Sequence, residues 1–210
     1  MDTLLLAAKP WLVPAFSLLG SPVTWLELVA VVLSLAMVAA NMRVNVLGWP
    51  LAIASSLLYA LLFADSKLYG EASLQFVFVV LALWGWWQWL RGRTPAGEEL
   101  KVHTLTHRQR TQALAATLTA WPVLALLLAR TTDTDVPWLD ALATAGSVTG
   151  QVLLGRKFVE NWVAWLLVNV FSVGLFAYKG LALTAVLYAL FAVLSVMGWR
   201  AWQRQVQTHG

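Results

Sequence analysis

Seven stretches of the chain are long and apolar enough, or nearly so, to cross about 30 Å of hydrocarbon, which takes roughly 20 residues of helix, and no water-soluble fold could bury them all. They run from Val23 to Asn41, Val44 to Ala64, Glu71 to Leu90, Thr111 to Ala129, Pro137 to Gly155, Asn161 to Tyr178 and Leu181 to Trp202. Only 11% of the residues are charged and 60% are hydrophobic, against roughly a quarter charged in a soluble domain. The expected fold class is therefore all-α and transmembrane, with lipid as the main solvent.

Residues 1–22 are expected to lie outside the bundle. Lys9, Pro10 and Pro14 interrupt their apolar run, so they lack the basic and long apolar regions of a cleaved signal peptide. Trp11 and Phe16 suit a short interfacial segment, and an irregular leader is the alternative. With no cysteine, the chain has neither a disulfide framework nor a thiolate metal site.

Fourteen basic residues set the orientation. Lys9, Lys67, Arg130 and Lys179 share one face with the amino terminus; the other ten, Arg43, Arg91, Arg93, Lys101, Arg108, Arg110, Arg156, Lys157, Arg200 and Arg204, share the opposite face. The positive-inside rule puts the second face in the cytoplasm, with the amino terminus outside and the carboxyl terminus inside. The same short loops account for the net charge of +4 without a nucleic-acid partner. His103 and His107 are spaced to suit a metal but lack a third ligand, so no metal or other cofactor is expected. Tryptophans near the helix ends, Trp25 and Trp138 on one side and Trp84, Trp86, Trp87, Trp89, Trp199 and Trp202 on the other, read as an interfacial belt.

Sliding the chain by 113 residues aligns the first three helices with the last three without a gap. Trp25-Leu-Glu27 falls on Trp138-Leu-Asp140, Ser34 on Ser147, Arg43 on Arg156, Trp49 on Trp162, and Gly85-Trp86 with Trp89 on Gly198-Trp199 with Trp202. This organises the chain as repeat one (23–90), a basic cytoplasmic loop plus linker helix (91–136), repeat two (137–203) and a tail (204–210). Three helices end on the side opposite their start, so the unmatched fourth helix is needed to make the copies parallel, related by an axis along the membrane normal. That 3+1+3 symmetry predicts a central cavity between the halves.

The polar and aromatic candidates concentrate on the sixth helix. At about 100° per residue, Trp162, Trp165, Asn169, Ser172 and Phe176 fall within an arc of about 80°. Asn169 lies about 12 Å in from the cytoplasmic end, where an amide needs a partner from protein or ligand. Two readings compete: Asn169 and Ser172 bond to a neighbouring helix, as polar groups in membrane bundles do, or they and the indoles hold a flat ligand. The matching face of the second helix carries Trp49, Ser56, Tyr59 and Phe63, while Gln75 and Tyr188 add polar groups on the third and seventh helices. No Asp, Glu, Lys, Arg or His lies near the centre of a span, so passage without ion coupling is the simpler mechanism.

The run W-V-A-W-L-L-V-N at 162–169, the run from Tyr69 through Gln75 to Gly85-Trp-Trp-Gln-Trp89, and the 3+1+3 plan together resemble the PnuC family of bacterial vitamin transporters. The resemblance implies a fold similar to a duplicated SWEET transporter, in the bacterial inner membrane. It also implies facilitated diffusion of nicotinamide riboside, or in related branches thiamine or riboflavin, followed by trapping through a cytoplasmic kinase. A homo-oligomer, a trimer by the same likeness, is implied too. Carried over by motif position, Trp162, Trp165, Asn169 and Gln75 line the substrate site; Ser172, Ser56, Tyr59, Tyr188 and Trp49 join them from helix geometry and the repeat. A seven-helix sensor is the rival class, but a retinal pigment needs a lysine deep in the last helix and Lys179 precedes it. An intramembrane protease would need paired aspartates, a Ser/His couple or a zinc motif inside the spans, and none is there; the chain is not expected to be an enzyme.

Overall fold

A computed structural model describes residues 8–18, 21–65, 69–93, 97–132, 134, 136–178 and 182–209. Lys67 and Lys179, used above for orientation and for the pigment argument, lie outside the described residues. Seven long helices form: α1 Trp25–Met42, α2 Gly48–Asp65, α3 Tyr69–Arg91, α4 His107–Thr131, α5 Pro137–Gly155, α6 Asn161–Tyr178 and α7 Ala182–His209. Six are long and apolar enough to cross a membrane among the described residues; α5 alone is not in that set. On α4, Leu114, Leu118, Val123, Leu126 and Leu127 are all exposed, a surface that lipid covers and water would not.

Two expectations change. Within the leader, in place of an irregular segment, a 3-10 turn at Lys9–Trp11 precedes an antiparallel hairpin, β1 Pro14–Leu18 with β2 Ser21–Thr24, whose register shifts between Pro14 and Phe16. Proline has no N–H to give a ladder, which suits Pro14 and Pro22 to a two-stranded ribbon with free edges. The helices also outrun the apolar segments. α4 begins at His107 because Thr106 and Gln109 make a reciprocal capping box, and α7 continues to His209, since arginine and glutamine are good helix formers once past the hydrocarbon.

The chain divides into two compact units, residues 1–86 and 87–210, and the same local solutions recur in each. The only two non-glycine residues with positive φ among those described are Val44 (53°) and Lys157 (56°), 113 positions apart. Each follows the helix C-cap, Arg43 or Arg156, and turns the chain into the next helix. A β-branched residue is out of place in the left-handed region. Val44→Gly should therefore raise stability by about 1 kcal/mol; thermal unfolding in detergent measures it, and an unchanged or lower midpoint would contradict the assignment of strain.

Glycine contacts recur likewise. In the first unit the Trp49 ring lies where a Cβ on Gly85 would be, and in the second the Trp162 ring takes the equivalent place at Gly198, 2.5 Å from that hypothetical Cβ. A third correspondence is crossed. The side chain of Asn41 at the end of α1 occupies the space beside Gly48 at the start of α2; the counterpart positions are Leu154 and Asn161, so in the second unit the amide comes from the later helix. Asn161 is fully buried and its Nδ2 donates to the Phe158 carbonyl at 2.6 Å.

Candidate substrate site on the sixth helix

Of the side chains singled out on α6, Trp165 lies in its contact with α5, and Trp162 and Asn169 lie to one side of it. Two glycines permit that contact: a Cβ on Gly146 would meet Val168 Cγ2 at 2.6 Å, and one on Gly150 would meet the Trp165 indole at 3.1 Å. Trp165 is half-buried, the pyrrole side of its indole, Nε1 included, resting over Gly150. Asn169 and Ser172 are buried. Asn169 donates through Nδ2 to Ser195 Oγ at 3.2 Å, and Ser195 in turn donates to the Phe191 carbonyl at 2.8 Å. One of the amide's four bonding positions is thus used by α7, so the structural reading of Asn169 holds in part.

Trp162 is more enclosed than a ligand platform. It is 4% exposed and meets Trp202 edge-to-face at 5.7 Å and 88°. Its Nε1 is sealed with no hydrogen-bond partner among the described residues. Trp202 is fully buried and also touches Trp89 at 6.2 Å, while Trp89 Nε1 donates to the Leu154 carbonyl at 3.1 Å. The belt reading of Trp89 and Trp202 is therefore corrected: these two are core. Trp25, Trp87, Trp138 and Trp199 remain exposed, as anchors must. Positions 87 and 89 differ by about 200° around the helix, so adjacent tryptophans face opposite ways.

The remaining candidates are placed as follows. Tyr188 stacks on Phe176 at 5.0 Å and 24°, which puts its ring beside the end of the α6 arc. In the first unit Tyr59 stacks on Phe63 at 6.0 Å, Ser56 and Gln75 are half-buried, and Trp49 is 1% exposed under Gly85. The serine engaged in hydrogen bonds there is Ser55, not Ser56: its Oγ lies 2.7 Å from Ser34 Oγ, and both hydroxyls donate to the Ala30 carbonyl. The side chains of Tyr69, Gly70 and Glu71 lie outside the described residues.

Before the amino-terminal end of α6, the loop between α3 and α4 is stitched to the α5–α6 turn. His103 N–H donates to Lys157 O and Val159 N–H to His103 O, at 3.1 and 2.9 Å. Glu160 accepts from Leu105 N–H at 3.0 Å and from Arg110 at 2.8 Å. Lys157 reaches the Leu100 carbonyl at 2.9 Å and sits 5.1 Å from the Trp89 ring centre. Burial lowers its ammonium from the ordinary lysine range, against the raising effect of Glu99. The imidazole of His103 is committed to Lys101 O and the face of Phe158. On the other side of α5 and α6 lies a mostly apolar groove of about 520 Å³, shared with α4 and lined by Thr117, Leu142, Thr149, Leu153, Leu167 and Phe171.

Seven long helices, six of them fit for lipid, and a half-buried aromatic and amide face within the bundle define a multi-pass membrane protein of the small-solute transporter class. A family model described as nicotinamide mononucleotide transporter matches residues 24–204, and the chain belongs to that family. It is 32% identical over 190 residues to the riboflavin/roseoflavin transporter RibM of Streptomyces davaonensis, covering 90% of this chain and 89% of that one. To the nicotinamide riboside transporters PnuC it is 23% identical in Escherichia coli (91% and 90% covered) and 28% in Neisseria mucosa (90% and 76%). A crystal structure of the vitamin B3 transporter PnuC matches with a TM-score of 0.73 at 28% identity, over 89% of this chain and 83% of that chain.

The sequence reading missed Ser195, Gly146 and Gly150. A serine in an apolar helix carries no signal of its own. The two glycines, spaced four apart on α5, are the close-packing pattern of membrane helices and were legible.

Proposed function

We propose that this protein carries nicotinamide riboside across a bacterial cytoplasmic membrane by facilitated diffusion, holding it against Trp165, Asn169 and Ser172 on α6. The observation that carries the proposal is the pairing of a half-buried indole with a buried amide one turn away. Nicotinamide riboside is a planar cation, and an indole attracts such a ring by stacking plus a cation–π attraction of about 2 kcal/mol when desolvated. Trp162 acts chiefly by holding that face in place. Gln75, Tyr59, Ser56 and Trp49 of the first repeat, and Tyr188 of the second, are proposed as further lining residues by motif and by repeat position. The lack of a charged side chain at mid-span supports uncoupled passage. Trapping is left to a cytoplasmic kinase, the amino terminus faces outward, and the protomers form a trimer.

Riboflavin is the second reading, favoured by the 32% identity to a riboflavin transporter. Its ring stacks without a charge. Calorimetric titration of detergent-purified protein with nicotinamide riboside, riboflavin and thiamine in parallel separates the readings, and uptake into vesicles with and without an ion gradient tests coupling. Trp165→Ala and Asn169→Ala should each weaken binding of the accepted vitamin by about 1 to 3 kcal/mol. Wild-type titration curves for both variants would reject this face as the site.

A further inference from the structure

The helix that falls outside the lipid-compatible set is α5, and the reason is a polar stripe. Asp140, Thr144, Ser147 and Gln151 follow one another at steps of four, three and four residues, within about 60° of one another around the helix. Their first-repeat counterparts are Glu27, Val31, Ser34 and Val38, so the stripe is whole only in the second repeat. Its outer end is occupied: Thr134 Oγ1 donates to Asp140, and Thr144 Oγ1 donates back to the Asp140 carbonyl at 2.9 Å. Its inner end is not. Gln151 is 7% exposed, and no hydrogen bond joins its amide to another described residue. Neither of its amide atoms is among the sealed side-chain atoms that lack a partner, so the amide keeps access to open space and is free to meet a ligand.

The direction the stripe faces follows from the groove. Groove residues Thr149 and Leu153 lie to one side of the Gly146–Gly150 contact line on α5, and Ala164, Leu167 and Phe171 lie to the matching side of the Val168–Trp165 line on α6. On α5 the stripe is on the opposite side of that line, at about +60° to +120° from Gly150; on α6 Trp162 and Asn169 are likewise opposite, at about +40° to +60° from Trp165. Both polar faces therefore open on the same side of the helix pair. Gly150 under Trp165 sets the depth, so Gln151 stands level with the indoles.

We propose that Gln151 is a specificity residue that touches the substrate, its amide pairing edge-on with the carbonyl and N–H group of the vitamin ring. Oε1 accepts from the ligand N–H and Nε2 donates to the adjacent ligand carbonyl, an edge that the carboxamide of nicotinamide and the imide of the flavin ring both present. This rests on the transport function proposed above. The test is titration of the purified full chain with nicotinamide riboside and riboflavin, and with partners that lack the edge, nicotinic acid riboside and 3-methylriboflavin. Wild type should prefer the accepted vitamin over its blocked partner by about ten-fold or more. Gln151→Leu and the near-isosteric Gln151→Glu should each lose about that factor for the parent vitamin, and Gln151→Leu should no longer tell parent from blocked partner. If either variant keeps wild-type affinity and wild-type discrimination, the assignment is overturned while the transport reading stands. A wild type that binds neither vitamin overturns the transport reading itself, and this assignment with it.

Discussion

Trp162→Ala is expected to remove about 3 to 5 kcal/mol of stability, the largest loss of any single substitution considered. Its indole is enclosed, lies on the bare backbone of Gly198 and meets the fully buried Trp202 edge-to-face. Truncation empties that volume and also forfeits an aromatic pair contributing about 1 kcal/mol beyond its area. Trp87, exposed on α3, is the control: its truncation should change stability by less than about 0.5 kcal/mol. Unfolding of both variants in the same detergent gives the comparison, and equal losses would show that Trp162 is no more embedded than a belt residue. The same reasoning warns against reading a binding defect of Trp162→Ala as a lost ligand contact, whereas Trp165→Ala, over Gly150 and half-exposed, reports on the ligand itself.

The crossed amide gives the second large effect. Gly48→Asn should destabilise by about 1 to 3 kcal/mol, because Asn41 already fills the place its side chain would take and a packed interior yields little to added atoms. Joining it to Asn41→Leu transplants the Leu154 and Asn161 arrangement into the first repeat. The double variant should recover most of the loss, with a coupling of about 1 kcal/mol or more between two touching sites. Additive losses would mean that the two halves solve this corner by unrelated packing.

The number and class of the helices were legible because lipid demands long apolar runs, and the duplication because matched tryptophans and arginines stood in one register. What each side chain faces was less so. Trp86, Trp87 and Trp89 share a composition, yet Trp87 is exposed and Trp89 packs into the core, since the direction of a side chain depends on which neighbour covers that arc. Asn169 was read correctly as needing a partner, but Ser195 could not be picked from among the hydroxyls of α7. Gln151 was overlooked although its stripe has plain helical spacing; a search for runs of apolar residues passes over the helix that is less apolar. The hairpin at Pro14–Thr24 went unforeseen because two prolines argue against a strand more strongly than a two-stranded edge obeys.

The stitched loop bears on how such a carrier can move. To part the α5–α6 turn from the loop between α3 and α4, the chain would have to break both backbone bonds of His103, the grip of Glu160 on Leu105 and Arg110, and the reach of Lys157 to Leu100. The α5–α6 turn and the loop between α3 and α4 therefore form one handle, so a movement of either carries the other with it.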